Sequence, residues 1–344
     1  MKSTGQEASP EDLVHELLEA LGAPGVPETL RAVGLGSFLL SQDRQKAAIL
    51  YALLRRELAE IQALFEEKSI PLVLLKGEPL ETLLYQGRYR RGTGDLDLLV
   101  LPGDREAAGE CLGMLGYEAL DAEGPRMWSH NQEAFRHPDR GFLVEVHWAV
   151  AEPRVGQLPV GVIIEEAQPF EFENGLIVQV QRPDHLLLHL ALHYHHHMGF
   201  ARGLLDLAAW ENAFGQGEEK WGLNARALAR ERGIEGLLDW PAWTIRVLTG
   251  KAVSFGAEKP APWALGLGEL SAWAMRGYLD SKEHWALRAT LVEVMPRMEV
   301  CPTVLLQTLT MGAVDSGGRL EALLWPILRG PHWIGRWTAK NVFL

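Results

Sequence analysis

The sequence predicts an α+β fold in which a mixed sheet with flanking helices follows an N-terminal helical brace and precedes an all-helical C-terminal domain. Three observations carry this. Apolar residues recur at helical spacing up to about residue 68 and again beyond residue 183. Between them lie short apolar or alternating runs of strand length. Gly, Pro and Asn-Gly punctuate those runs. The expected division is therefore 1–68, 69–182 and 183–344.

The first helix is expected from Ser9-Pro10-Glu11-Asp12, a cap residue followed by proline and two acids, with Leu13, Leu17, Leu18 and Leu21 at helical spacing and Gly22 and Pro24 as the stop. A longer helix is predicted from about Gln42 to Lys68, with Ala48, Leu50, Leu53, Leu54, Leu58, Ile61, Leu64 and Phe65 as its apolar stripe. Ile70 to Leu75 reads as a buried strand ending at the turn Lys76-Gly77, and Glu78 to Tyr85 as a helix. Asp95 to Leu101 reads as a strand and Asp104 to Leu115 as a helix ending at Gly116. Met127 to Trp148 reads as a hairpin turning at His137-Pro138-Asp139-Arg140-Gly141, and Asn174-Gly175 as a type I′ hairpin turn. From Pro183-Asp184 onward the chain reads as helical, with breaks near Gly215, Gly233, 260–262 and Gly317-Gly318.

The 344 residues suffice for a large core, and 47% hydrophobic with 23% charged residues is ordinary globular composition. A formal charge of -12 argues against a broad surface that tracks nucleic-acid phosphates, while leaving room for a local basic pocket. Cys111 and Cys301 stand far apart, which suggests neither a disulfide framework nor a cysteine zinc site and fits a reducing cytoplasm. Met1 to Glu11 carries no apolar signal core, and no later run is apolar enough to address a membrane.

The chemistry concentrates around Asp95 and Asp97. Strand alternation puts both on one face, with Leu96 and Leu98 on the other. Unit charges about 4 Å apart repel by roughly 4 kcal/mol at an effective dielectric near 20, so a converging pair calls for a cation, Mg²⁺ or Mn²⁺; a solvated strand end is the competing reading. Glu145, which alternates with Val144 and Val146 and shares a face with His147, is the candidate third carboxylate. Such a trio suits two divalent ions clamping a nucleoside triphosphate. The Lys76-Gly77 turn offers a charge and backbone amides, and Arg88, Arg90 and Arg91 precede the acids, either as phosphate contacts or as a solvated charge run.

In order and spacing these segments resemble the bacterial uncharacterised nucleotidyltransferases of the DNA-polymerase-beta superfamily, distant relatives of aminoglycoside nucleotidyltransferases. Ile70 to Gly77 resembles the family's first strand and Lys-Gly turn, Arg91-Gly92-Thr93-Gly94-Asp95-Leu96-Asp97 its metal strand, and Val144-Glu145-Val146-His147-Trp148 its third-carboxylate strand. Pro183 to Leu190, continuing through His193 to Leu207, is similar to its helical follow-on, so the likeness covers roughly 40–215. Two features depart from the wider superfamily: Glu145 stands where Asp is commoner, and Lys76-Gly77 replaces a Gly-Ser turn.

The resemblance implies a polymerase-beta-type catalytic domain that moves a nucleoside monophosphate from an NTP, with ATP expected, to a hydroxyl or similar acceptor on a small molecule, peptide or protein. Asp95, Asp97 and Glu145 are then the catalytic and metal residues, and Lys76, Gly77 and Arg91 the nucleotide contacts. The alternative is a catalytically inactive nucleotide-binding or protein-interaction module on the same fold.

His185, His189, His193 and His197 recur every fourth residue, with His195 and His196 beside them. HExxH is absent, so zinc is disfavoured, although a histidine-metal hydrolase remains a third class. His189, His193 and His147 are the candidate cleft residues, as proton acceptor or phosphate contact, against a purely structural role. The 12 tryptophans read as core, and the C-terminal Arg329, His332, Arg336 and Lys340 as a surface face.

Overall fold

The computed structural model describes residues 44–85, 94–120, 131–150, 158–196 and 201–260, together with 264, 265 and 268. The expected first helix, the arginines Arg88, Arg90 and Arg91, and nearly everything beyond residue 260 lie outside the described residues.

Helix α1 (Arg44–Glu67) presents Tyr51, Leu54, Leu58, Ile61 and Phe65 to the core, a three-four spacing that keeps one stripe inward. The stripe is narrower than expected: Ala48 and Leu53 are exposed, while Leu50 and Leu64 are half-buried. The helix packs on strand β2 (Asp95–Val100) and helix α3 (Arg105–Met114). Its buried Glu57 is held by Arg140 Nη1, 2.8 and 2.9 Å from the two carboxylate oxygens, and by the Tyr117 hydroxyl at 3.0 Å. Partnered in this way, the carboxylate avoids the cost of an isolated buried charge.

Strand β1 (Leu72–Leu74) leads through Lys76-Gly77 into helix α2 (Glu78–Tyr85). Beyond β2 and α3 come β3 (Glu118–Ala119), β4 (Gln132–Arg136) and β5 (Leu143–His147). Helix α4 (Val160–Glu165), which the sequence reading does not anticipate, precedes β6 (Gln168–Glu171) and β7 (Ile177–Val180). The seven strands form one mixed sheet in the order β3-β4-β5-β2-β1-β7-β6. The β4–β5 hairpin turns where the sequence places it, closed by Gly141 N donating to His137 O at 2.8 Å with Gly141 at φ 73°.

The second hairpin corrects the expected turn type. Type I′ needs positive φ at both Asn174 and Gly175, yet Gly175 has it (φ 81°) and Asn174 does not. Gly175 N donates to Phe172 O and Phe172 N to Leu176 O, each at 2.8 Å. That is the longer loop in which a left-handed glycine follows an ordinary turn.

Helices α5 (Pro183–His196), α6 (Ala201–Trp210), α7 (Trp221–Glu231) and α8 (Gly236–Thr249) follow, with a π turn at Glu211–Gly215 between α6 and α7. The sheet separates two apolar clusters. On one face Leu72, Leu74, Leu96, Leu98, Val144 and Val146 pack with α1 and α3. On the other, Val73, Leu75 and Leu99 pack with α5 to α8 around Trp210 and Trp240. Among the described residues no helix is long and apolar enough to cross a membrane.

Candidate active site

The site grows from strand register. Central β2 runs antiparallel to β1 and parallel to β5, with Asp97 opposite Glu145 and Leu99 opposite His147. Neighbouring strands lie about 4.8 Å apart and partners across a ladder share a face, so the pairing alone sets Asp97 and Glu145 side by side. His147, two residues past Glu145, falls on the same face. That face carries the cluster around α5, while Leu96, Leu98, Val144 and Val146 fill the other. Leu75 N donates to Asp97 O at 2.9 Å, carrying the β1 ladder up to the Lys76-Gly77 bend, where Gly77 adopts φ 89°. A side chain at this angle is strained, which accounts for glycine at the start of α2.

Asp97 is 3% exposed and His147 6%. His147 Nε2 lies 3.1 Å from Asp97 Oδ1 and 3.6 Å from Glu145 Oε2, and Lys76 Nζ lies 3.4 Å from the same Asp97 oxygen. Burial pushes the Asp97 pKa up, but the His147 hydrogen bond and the charges of Lys76, His147 and His189 outweigh it and hold the carboxyl well below the usual carboxylate range. For His147 burial works downward and is overcome by its bonds to Asp97 and Glu145, so the imidazole is more basic than a free one. The result is a buried carboxylate kept ionised by the His147 hydrogen bond and the positive charges around it.

The structure thus brings together Asp97, Glu145 and His147, whose ligand atoms lie within 4.8 Å of one another. Asp95 shares their face one pleat earlier, half-buried and opposite Leu143, and is not a member of that compact group. Lys76 is directed at Asp97, and Arg91 lies outside the described residues. Two neighbours escaped the sequence reading. Gln132 Nε2 donates to Glu145 Oε2 at 3.0 Å, and Gln181 Oε1, just past β7, lies 2.8 Å from His189 Nδ1. The hairpin register places Gln132 opposite His147, a pairing the turn at His137–Gly141 already implied.

The histidines of α5 go to different surroundings. His189 is buried with its charge felt at Asp97, His193 is half-buried, and His185 Nε2 stands 3.5 Å from Glu166. His195 packs edge-on against Trp240, ring centroids 4.6 Å apart. No cluster of three ligands forms on this helix among the described residues.

Burial takes the His195 pKa down to about 3, a backbone hydrogen bond at Leu237 recovering only part of the loss. Because the unfolded chain takes up this proton near the ordinary 6.5, the stability gained by keeping the ring neutral is full above that pH and is lost as pH falls toward 3. Between pH 7 and 5 the wild type is expected to lose roughly 2 kcal/mol more than a His195→Leu variant in urea unfolding. Parallel pH curves for the two proteins contradict this assignment.

The description "Uncharacterised nucleotidyltransferase" belongs to the family model that matches residues 11–245. No curated protein matches the chain. Among solved structures, the lincosamide antibiotic adenylyltransferase LnuA bound to lincomycin aligns at TM-score 0.33 and 16% identity, over 46% of this chain and 96% of that one. The solution structure of the antibiotic-resistance factor ANT(2'')-Ia aligns at 0.34 and 19%, over 51% and 90%. Its crystal structure with adenylyl-2"-tobramycin aligns at 0.34 and 17%, over 51% and 97%. The family match runs through α1, the sheet with its Asp97 centre and the helices as far as most of α8, and the chain belongs to the uncharacterised nucleotidyltransferase family.

Proposed function

We propose that this nucleotidyltransferase moves the nucleoside monophosphate of an NTP, ATP in the first instance, to a hydroxyl acceptor on a small molecule, peptide or protein. The observation that carries the proposal is the in-register pairing of Asp97 with Glu145 beside the Lys76-Gly77 bend. The donor set fits Mg²⁺ or Mn²⁺: Asp97 and Glu145 are carboxylates on adjacent strands, Asp97 is held ionised, and Asp95 lies one pleat earlier on the same face. A divalent ion bound there would spread the triphosphate's charge and make the attacking hydroxyl more acidic.

The acceptor oxygen attacks the α-phosphorus, the bond from that phosphorus to the oxygen bridging toward the β-phosphate breaks, and pyrophosphate leaves. Lys76, a backbone amide at Gly77 and Arg91 would contact the triphosphate, the Lys76 ammonium as a point charge. The hydroxyl proton passes to a histidine of α5. His189 suits this role in its neutral form, in which Gln181 Oε1 accepts from Nδ1–H and Nε2 is the basic nitrogen. His193, a turn further along, is the second choice.

A second reading has one observation in its favour. Lys76 and His147 already neutralise Asp97, as they would in a nucleotide-binding module that has lost turnover. Calorimetric titration of ATP in the presence of Mg²⁺ or Mn²⁺, followed by pyrophosphate assays over a panel of hydroxyl acceptors, separates the two. The transferase reading expects binding and pyrophosphate release; binding without release for every acceptor favours the module.

A further inference from the structure

We propose that His147 is itself a ligand of the divalent ion, so that the centre is a mixed nitrogen and oxygen site preferring Mn²⁺ to Mg²⁺. This rests on the metal-dependent reading above and deepens it. The three donor atoms are Asp97 Oδ1, Glu145 Oε2 and His147 Nε2, with the nitrogen 3.1 Å from the first and 3.6 Å from the second. Two donors each about 2.1 Å from a common ion stand roughly 3.0–3.4 Å apart at octahedral or tetrahedral angles. The first separation falls inside that span, and a small side-chain rotation brings the second into it.

The arrangement follows from the backbone. His147 is two residues past Glu145 on β5, opposite Leu99 on β2, so the pleat that aims Glu145 at Asp97 aims the imidazole there too. Its burial leaves the ring little freedom to turn away, and its Nε2 faces the two carboxylates. Gln132, hydrogen-bonded to Glu145 Oε2, steadies that carboxylate as an outer partner does at metal centres. Mg²⁺ favours oxygen donors and keeps its waters, whereas the later divalent ions accept imidazole readily. One histidine among carboxylates therefore shifts the preference away from Mg²⁺.

The test is Mn²⁺ alone, added to the full chain carrying ¹⁵N-labelled histidine, with electron spin-echo spectroscopy reading nitrogen coupling at the ion. Calorimetry gives the Mn²⁺ and Mg²⁺ affinities in parallel. The expected result is a directly coordinated histidine nitrogen and Mn²⁺ binding at least about tenfold tighter than Mg²⁺. The coupling disappears in His147→Gln and His147→Asp, and the preference collapses in the latter, whose donors are all oxygen. It persists in His189→Gln. Using two substitutions at 147, with folding checked by circular dichroism, keeps the result readable if one of them does not fold. Mn²⁺ bound without nitrogen coupling, or coupling that survives at 147 but is lost at 189, overturns the ligand assignment and leaves the carboxylate reading standing. Failure of Mn²⁺ to bind, or equal binding by Asp97→Asn, overturns both.

Discussion

Asp97→Asn is expected to lower kcat for nucleotidyl transfer by at least about 10³-fold, the scale of losing one preorganised charge at a phosphoryl-transfer centre. Asparagine keeps the shape and one oxygen facing His147 and Lys76, and removes only the negative charge those bases surround. Metal affinity falls with turnover, because the variant leaves two cationic groups where a third cation should bind. Asp95→Asn, outside the compact group, should lower kcat while sparing more of the metal affinity. Pyrophosphate release and metal titration on the same preparations check both statements, and an Asp97→Asn enzyme as fast as the wild type rules out the proposed centre.

Trp210→Ala is expected to cost about 3–5 kcal/mol of stability, the range for deleting a buried aromatic side chain. Trp210 is fully buried at the end of α6, packs edge-on against Phe255, and donates Nε1 to Pro183 O at 2.8 Å. It therefore ties α6 to the start of α5, the helix that brings His189 near Asp97. Trp210→Phe keeps most of the ring volume and loses the hydrogen bond to a carbonyl that also lies in the first turn of α5, so it should cost only about 0.5–1.5 kcal/mol, the net worth of one hydrogen bond. Urea unfolding of the two variants measures the difference; equal losses would mean that packing volume contributes little here.

The legible parts of this molecule were those fixed by local rules. Helix α2 and the Lys76-Gly77 bend followed from apolar spacing and glycine, and the β4–β5 turn from Pro138 and Gly141. The shared face of Glu145 and His147 followed from alternation. Long-range pairing was not legible that way. Nothing within β1 or β7 announces that Leu74 pairs in parallel with Val180, which fixes the sheet order and brings Gln181 to the site. The family resemblance supplied the third-carboxylate strand but not its register with β2, and so not the contact between His147 and Asp97. Asn174-Gly175 does not form the expected type I′ turn because one extra residue, Glu173, shares the loop, so only the glycine needs a left-handed backbone.

The central claim is that the Asp97 centre directs cleavage to the α-phosphorus of a nucleoside triphosphate. Phosphorus-31 NMR of ATP incubated with the protein, Mn²⁺ and an acceptor pool tests it most directly. The account predicts pyrophosphate and an AMP ester appearing in equal amounts and absent with Asp97→Asn; ADP with inorganic phosphate, or products unchanged by that substitution, would contradict it.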